Sequence, residues 1–254
     1  MLSELQCRLG DDVAVVHDRK NKDNGKNDRK TSAAPGTGID EHQEIAMTDP
    51  NRTSAAFGQG SAVDAFVATQ VVLRERQCRD RGWWEQMDQT FWPDSTVRLS
   101  WYDGNGPGFV LGSKAMKQRG QHTLHHVFAP SVQVRGAKAH VEVSAAILAP
   151  ASIDGTAGTL TAHSRLNYRL ERRNDEWRIL SLDAIYEQTT LVPSVPGETI
   201  TIPAEELARY RASYAILAWQ LERDGHSMSA DLLGDDRPEA LDAFYAQMRD
   251  WLEG

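Results

Sequence analysis

Cysteine is nearly missing from this chain: Cys7 and Cys78 are its whole complement in 254 residues. Two well-separated thiols argue against a disulfide scaffold and against a thiolate zinc site. Long apolar runs are missing as well. No stretch approaches the roughly 20 apolar residues that span a bilayer, and the N-terminus lacks the apolar segment of a signal peptide. The expectation is a cytoplasmic protein with no membrane partner. A block of basic charge is also absent from the part expected to fold. With a net charge of −8 there is no basic stripe to hold phosphates, which disfavours nucleic acid as a partner. No Gly-x-Ser-x-Gly elbow occurs. "DGNGPG" (103–108) has the glycines of a phosphate loop but follows no βα pattern, so it reads as a loop or lid.

What remains divides into three parts. Residues 17–30, "HDRKNKDNGKNDRK", contain no apolar residue and cannot offset the entropy of ordering. Lys20, Lys22, Lys26 and Lys30 lie there, while the rest of the chain is built on arginine. Residues 1–59 are therefore expected to be a disordered tail. Met47 looks like a natural start, with residues 1–46 outside the working protein. With 40% hydrophobic residues the chain can still build a real core.

The body, residues 60–195, begins with "SAVDAFVATQVVLRERQC". Ser61 and Asp64 make a start resembling a capping box, and Val63, Phe66, Val67 and Val71 repeat at helical spacing. A short second helix spans Trp84 to Phe91, ended by Pro93. The period then changes to two in "STVRLSWY". Further strand-like runs cover 122–128, 131–136, 137–148, 158–172 and 176–191. The joints "RGAK" and "RRNDE" are hairpin-like, so the last four strands should form an antiparallel meander. Helices followed by a sheet define an α+β domain. Residues 196–254 form a helical extension. One helix is bracketed by Pro203 and Gly225, with Leu207, Tyr210, Tyr214, Leu217 and Leu221 as its apolar stripe. A second runs from about Pro238 to Leu252.

The candidate chemistry begins with "HTLHH". On a strand, His122 and His126 share one face and His125 the other. A metal would need a third ligand, with His140 or His163 the nearest candidates, and the spacing fits no defined metal motif. No metal and no cofactor are expected. Val127 shares the face of His125, which aims that ring inward. An inward histidine is more often a satisfied core residue than a base. A carboxylate on one ring nitrogen changes this, because it fixes the tautomer and leaves the other nitrogen as a proton acceptor. Asp80, in "CRDRGWWEQM", is one such carboxylate. Alternatively, it is a solvated residue at a helix end capped by Gly82.

The order of helix, "RDRGWWEQMDQTFWPDSTVRLSW", strand, "TLHHVFAPSVQV", meander and "EWRILSLDAIYE" resembles the SnoaL-like members of the nuclear transport factor 2-like superfamily. These include scytalone dehydratase-like and polyketide cyclase-like proteins, and the resemblance covers roughly residues 60–195. It implies a conical α+β barrel, a curved antiparallel sheet wrapped around N-terminal helices, with a deep pocket. In the dehydratase and dehydrochlorinase branches an aspartate after the first helix partners a histidine on the strand before "SVQV". Those positions fall on Asp80 and His125. The resemblance also marks departures. The second catalytic histidine of the dehydratase branch corresponds to Ser144, its strand-one tyrosine to Trp101 beside Tyr102, and the arginine of the dehydrochlorinase branch to Leu182. Substrate-binding candidates are Trp101, Tyr102, Ser144, His163, Arg165 and Tyr186. His163, Arg165 and Asn167 share one face, which is either concave or outer.

Two functions follow. One is a cofactor-independent lyase or isomerase, dehydratase- or cyclase-like, acting on a small apolar, cyclic or aromatic substrate with Asp80 and His125 as its acid–base pair. The other is a non-catalytic small-molecule-binding or oligomerisation module of the same fold. Either is expected to form a homo-oligomer, dimer or trimer.

Overall fold

The computed structural model describes residues 59–226 and 228–254. The expected tail, residues 1–59, lies outside these except for Gln59, as does the start at Met47. Helix α1 (Gln59–Arg81) is followed by α2 (Trp84–Asp88), β1 (Phe91–Arg98), β2 (Asp103–Asn105) and α3 (Gly106–Gln118). Five strands complete the body: β3 (Leu124–Val127), β4 (Ser131–Arg135), β5 (Lys138–Ile153), β6 (Thr156–Arg173) and β7 (Glu176–Pro193). The C-terminal part carries α4 (Ala204–Leu207), a 3-10 turn (Ala212–Tyr214), α5 (Ala215–Arg223), β8 (Leu233–Gly234) and α6 (Pro238–Glu253).

The meander β4–β5–β6–β7 is antiparallel, and β3 also pairs with β5. Its turns explain its register. Asp154 (φ 51°) with Gly155 (φ 87°), and Asn174 (φ 51°) with Asp175 (φ 62°), hold the consecutive left-handed residues of tight hairpins. Register shifts at His163/Ser164 and Arg169/Leu170 bend the long strands, because an extra residue on one strand increases local twist. The result is the curved, unclosed sheet of a conical α+β barrel, in the order β2-β1-β7-β6-β5-β3. Two strands depart from the antiparallel expectation: β1 and the short β8 both run parallel to β7. Alternation in "STVRLSWY" shows that a strand exists but carries no direction.

The core lies between the inner face of the sheet and the helices. Val141, Val143, Leu166, Tyr168, Leu170, Ile179 and Leu182 pack against Ala68 and Val72 of α1 and Phe109 of α3. Each large side chain buried there contributes roughly 1.5–3 kcal/mol. The buried face of α1 is not the one its valines mark. Val63 and Phe66 are 63% and 64% exposed, whereas Glu75, Arg76 and Arg79 turn inward behind Ala68 and Val72. The helix starts at Gln59, upstream of Ser61. Asp64 instead accepts the indole N–H of Trp177, 2.9 Å away, and pins α1 to β7.

Two further expectations are corrected. "DGNGPG" is the whole of β2 and the start of α3, not a loop. Asn105 caps that helix by accepting the Gly108 N–H at 2.8 Å, and a proline stands at its first turn. Gly106 is required by close approach, since a Cβ there would lie 2.4 Å from Ser95 Oγ and 2.7 Å from the Phe91 ring. The single helix expected between Pro203 and Gly225 is broken between Leu207 and Ala212. There the Arg211 side chain turns to Asp236 and to the Leu232 carbonyl, and Tyr214 packs edge-on to Tyr186. These tertiary partners outweigh local helix propensity.

Candidate functional site

Helix α1 and strand β3 meet where Asp80 and His125 face each other. Gly82 (φ 78°) ends α1, and the N–H groups of Gly82 and Trp83 both return to the Cys78 carbonyl. Asp80 thus sits in the last turn and still points inward. Its Oδ1 lies 2.6 Å from His125 Nδ1, and its Oδ2 accepts the His125 backbone N–H at 2.9 Å. The Lys117 ammonium donates to the Asp80 carbonyl at 2.8 Å, tying α3 into the same corner. Within β3, Leu124 and His126 are exposed while His125 and Val127 turn inward.

His125 forms part of the wall of a cavity of about 530 Å³. The remaining lining is largely apolar, including Leu99, Trp101, Ile147, Leu160, Leu166 and Tyr186. Leu217 and Leu221 of the C-terminal segment also line it, and Leu217 and Ile216 pack on Leu160 and Ala162. Asp80 does not line this cavity; it borders a separate small recess with Trp84, Lys117 and His122. Of the pair, His125 is therefore the member on the cavity wall.

The electrostatics follow from burial. The His125 side chain is only 3% exposed. Desolvation lowers its pKa to about 3, helped by the Arg76 and Arg79 charges and only partly opposed by Asp80. Burial works to raise the Asp80 pKa, but hydrogen bonds from the His125 ring and backbone outweigh it and hold the carboxyl below its usual value. The ring is thus neutral at pH 7. With its proton on Nδ1 toward Asp80, Nε2 is the acceptor left for the cavity. Deeper in, Glu75 forms a two-point ion pair with Arg76 and accepts from the Tyr168 hydroxyl at 3.2 Å.

The sequence candidates distribute unevenly. Trp101 and Tyr186 line the cavity. The Tyr186 hydroxyl accepts the Ser100 N–H at 2.7 Å, so its ring is held in place. Tyr102 stands behind Trp101, its ring on Phe109 and its hydroxyl on the Asn105 carbonyl. Ser144, His163 and Arg165 occupy the other face of the sheet, away from the cavity. Arg165 pairs there with Glu142 and Glu187, and Tyr245 of α6 reaches Glu142 at 2.5 Å. Asn167 on that face holds the His140 ring at 2.9 Å. His122 precedes β3 and lines the cavity, whereas His126 points outward. Among the described residues no three His, Cys, Asp or Glu side chains converge as a ligand set. Sequence reasoning missed Arg76 and Arg79. The available signal was their continuation of the Ala68–Val72 face at spacings of four and seven residues.

Residues 68–183 match the family model described as the SnoaL-like domain. That match takes in α1 from Ala68 onward, the helices and strands that follow as far as Asp183 in β7, and both Asp80 and His125. The chain is 25% identical to Pea pathogenicity protein 2 of Fusarium vanettenii over 82% of its own length and 96% of that protein. It is 26% identical to an uncharacterized protein of Emericella nidulans, over 69% of this chain and 80% of that one. Among solved structures, a hexachlorocyclohexane dehydrochlorinase of Novosphingobium barchaimii superposes with a TM-score of 0.44 at 12% identity. That match covers 56% of this chain and 97% of the other. No helix among the described residues is long and apolar enough to cross a membrane.

Proposed function

We propose that this chain is a cofactor-independent lyase or isomerase, dehydratase- or cyclase-like, acting on a small, largely apolar, cyclic or aromatic molecule. The observation that carries the reading is the 2.6 Å His125–Asp80 contact on the wall of a 530 Å³ apolar cavity. His125 Nε2 takes a proton from a carbon next to an activating carbonyl. The C–H electron pair moves into a new double bond, which either expels a β-leaving group or is reprotonated elsewhere. Asp80 holds the ring tautomer and stabilises the imidazolium that forms. Base assistance of this kind contributes about 10²–10⁴-fold, and the largely apolar cavity adds positioning. Deuterium exchange into 2-tetralone, followed by NMR, tests the reading. The full chain should accelerate exchange and His125→Gln should abolish the acceleration; a variant as fast as the parent would sink it.

A second reading has its own support. Asp80 also takes the His125 backbone N–H, and its carbonyl takes Lys117, so the pair knits α1, β3 and α3 together whether or not protons move. On that reading the domain is a non-catalytic binding or assembly module. Either reading carries a homo-oligomer, dimer or trimer. The exposed Val63 and Phe66 on α1 support this, and sedimentation velocity tests it.

A further inference from the structure

Arg79 lines the cavity beside His125 and is only 9% exposed. Its Nη1 donates to Thr123 Oγ1 at 2.7 Å, and its Nε is buried with no partner. The carboxylates near it are committed elsewhere: Glu75 to Arg76 and Tyr168, Asp80 to His125. Among the described residues no carboxylate forms an ion pair with Arg79. Its guanidinium lies over the Trp101 and Phe109 rings, 5.5 and 5.7 Å from their centroids. Those rings fix its plane but accept none of its N–H groups. Burying a guanidinium with one neutral acceptor and no counter-charge is costly. That cost shows in its pKa, lowered to about 10 by burial and by the neighbouring Arg76 charge.

We propose that Arg79 is the anion-binding residue of this cavity, so that its ligand is a mainly apolar molecule bearing an anionic oxygen, a carboxylate in the simplest case. This rests on the functional reading above only for the part His125 plays. Trp101, stacked on the guanidinium, packs beside the ring of such a ligand while Arg79 takes its oxygen in a charge-assisted hydrogen bond. The same contact acts on the base. Arg76 and Arg79 oppose protonation of His125, and a negative charge seated on Arg79 offsets that opposition. The anionic ligand thus makes the imidazole a better proton acceptor only once it is bound.

Calorimetry on the full chain with 2-naphthoate and its neutral counterpart 2-naphthamide tests this. The carboxylate should bind about tenfold or more tightly than the amide. Arg79→Gln should erase that preference while keeping amide binding, and Arg79→Lys should retain part of it. Equal binding of the two probes by the parent, or an undiminished preference in Arg79→Gln, overturns the proposal. Should Arg79→Gln not fold, the guanidinium ¹⁵N resonances of Arg79 in the parent decide. They should shift with naphthoate and not with naphthamide, and equal shifts overturn the proposal. The two readings fail separately: exchange surviving in His125→Gln removes the catalytic role and leaves the naphthoate preference standing.

Discussion

Asp80 takes two hydrogen bonds from a single residue, the ring Nδ1 of His125 at 2.6 Å and its backbone N–H at 2.9 Å. One bond holds the ring; the other fastens a strand to a helix. Substitutions at Asp80 should therefore split into two effects. Asp80→Asn keeps an acceptor for the backbone N–H and should fold with a modest loss of melting temperature, while base-dependent exchange falls about 10²–10⁴-fold. Asp80→Ala leaves the N–H unsatisfied and should cost about 1–3 kcal/mol in addition. Parallel melting curves and exchange rates check this, and equal melting temperatures for the two variants would count against it.

Acid should weaken the fold earlier than carboxylates alone would make it. His125 titrates near 3 in the folded state, against about 6.5 when unfolded. Between those values the unfolded chain holds more protons, so stability rises with pH and is lost as pH falls from about 6.5 toward 3. His140, also lowered by burial, acts in the same direction. Asp80, held below its usual pKa, adds a loss that sets in around its unfolded pKa of about 3.9 and grows below it. Melting temperatures from pH 7.5 to 4.5 should fall for the parent and fall less steeply for His125→Gln. A parallel slope would argue that the ring is not buried and neutral.

The start of α3 should tolerate no side chain. Gly106→Ala places a methyl 2.4 Å from Ser95 Oγ and against the Phe91 ring, and neither atom sits at the end of a long flexible chain. The expected cost is about 1–3 kcal/mol. Gly120→Ala is a fair comparison, because nothing lies within 4 Å of its added carbon although φ there is 81°, so its cost should come only from backbone strain, about 1 kcal/mol. Chemical denaturation of both variants measures the difference.

The strands of the meander were legible because each carries a two-residue period and the hairpins carry Gly, Asn and Asp, whereas β2 and β8 are too short to show one. The Asp80–His125 pairing was legible only through the family resemblance, since 45 residues separate the two and alternation within β3 gives His125 a face but no neighbour. Arg76 and Arg79 continue the Ala68–Val72 spacing, yet their burial went unread for a different reason. In "VVLRERQCRDR" charged residues look like a solvated helix face, and only the fold shows that Glu75, Tyr168 and the aromatic cluster make their burial possible. The outer placement of Ser144, His163 and Arg165 could not be read from a period of two, because that period separates two faces without saying which is concave. The break after Leu207 depends on Asp236, far along the chain, and no local pattern reports it.

The C-terminal segment should be inseparable from the domain it covers. Leu217, which lines the cavity, and Ile216 lie on Leu160 and Ala162, and Phe244 and Met248 of α6 cover Ile185 on the outer side of β7. Tyr214 seals Tyr186, and Trp251 lies over the Lys138 ammonium, 5.3 Å from the ring centroid, while its carbonyl accepts from the same lysine at 2.8 Å. A chain ending at residue 199 would open both faces of β7 to water at once. Each large apolar side chain so exposed forfeits roughly 1.5–3 kcal/mol, and the sum rivals the whole stability of a domain, about 5–15 kcal/mol. Such a chain should be recovered aggregated or unfolded by circular dichroism and size-exclusion chromatography. A milder change separates the cavity lining from the scaffold. Leu217→Ala should keep the fold, lowering its melting temperature by a few degrees, yet weaken 2-naphthoate binding by opening the cavity. If the shortened chain is soluble and as heat-stable as the parent, residues 200–254 are not part of the domain's core.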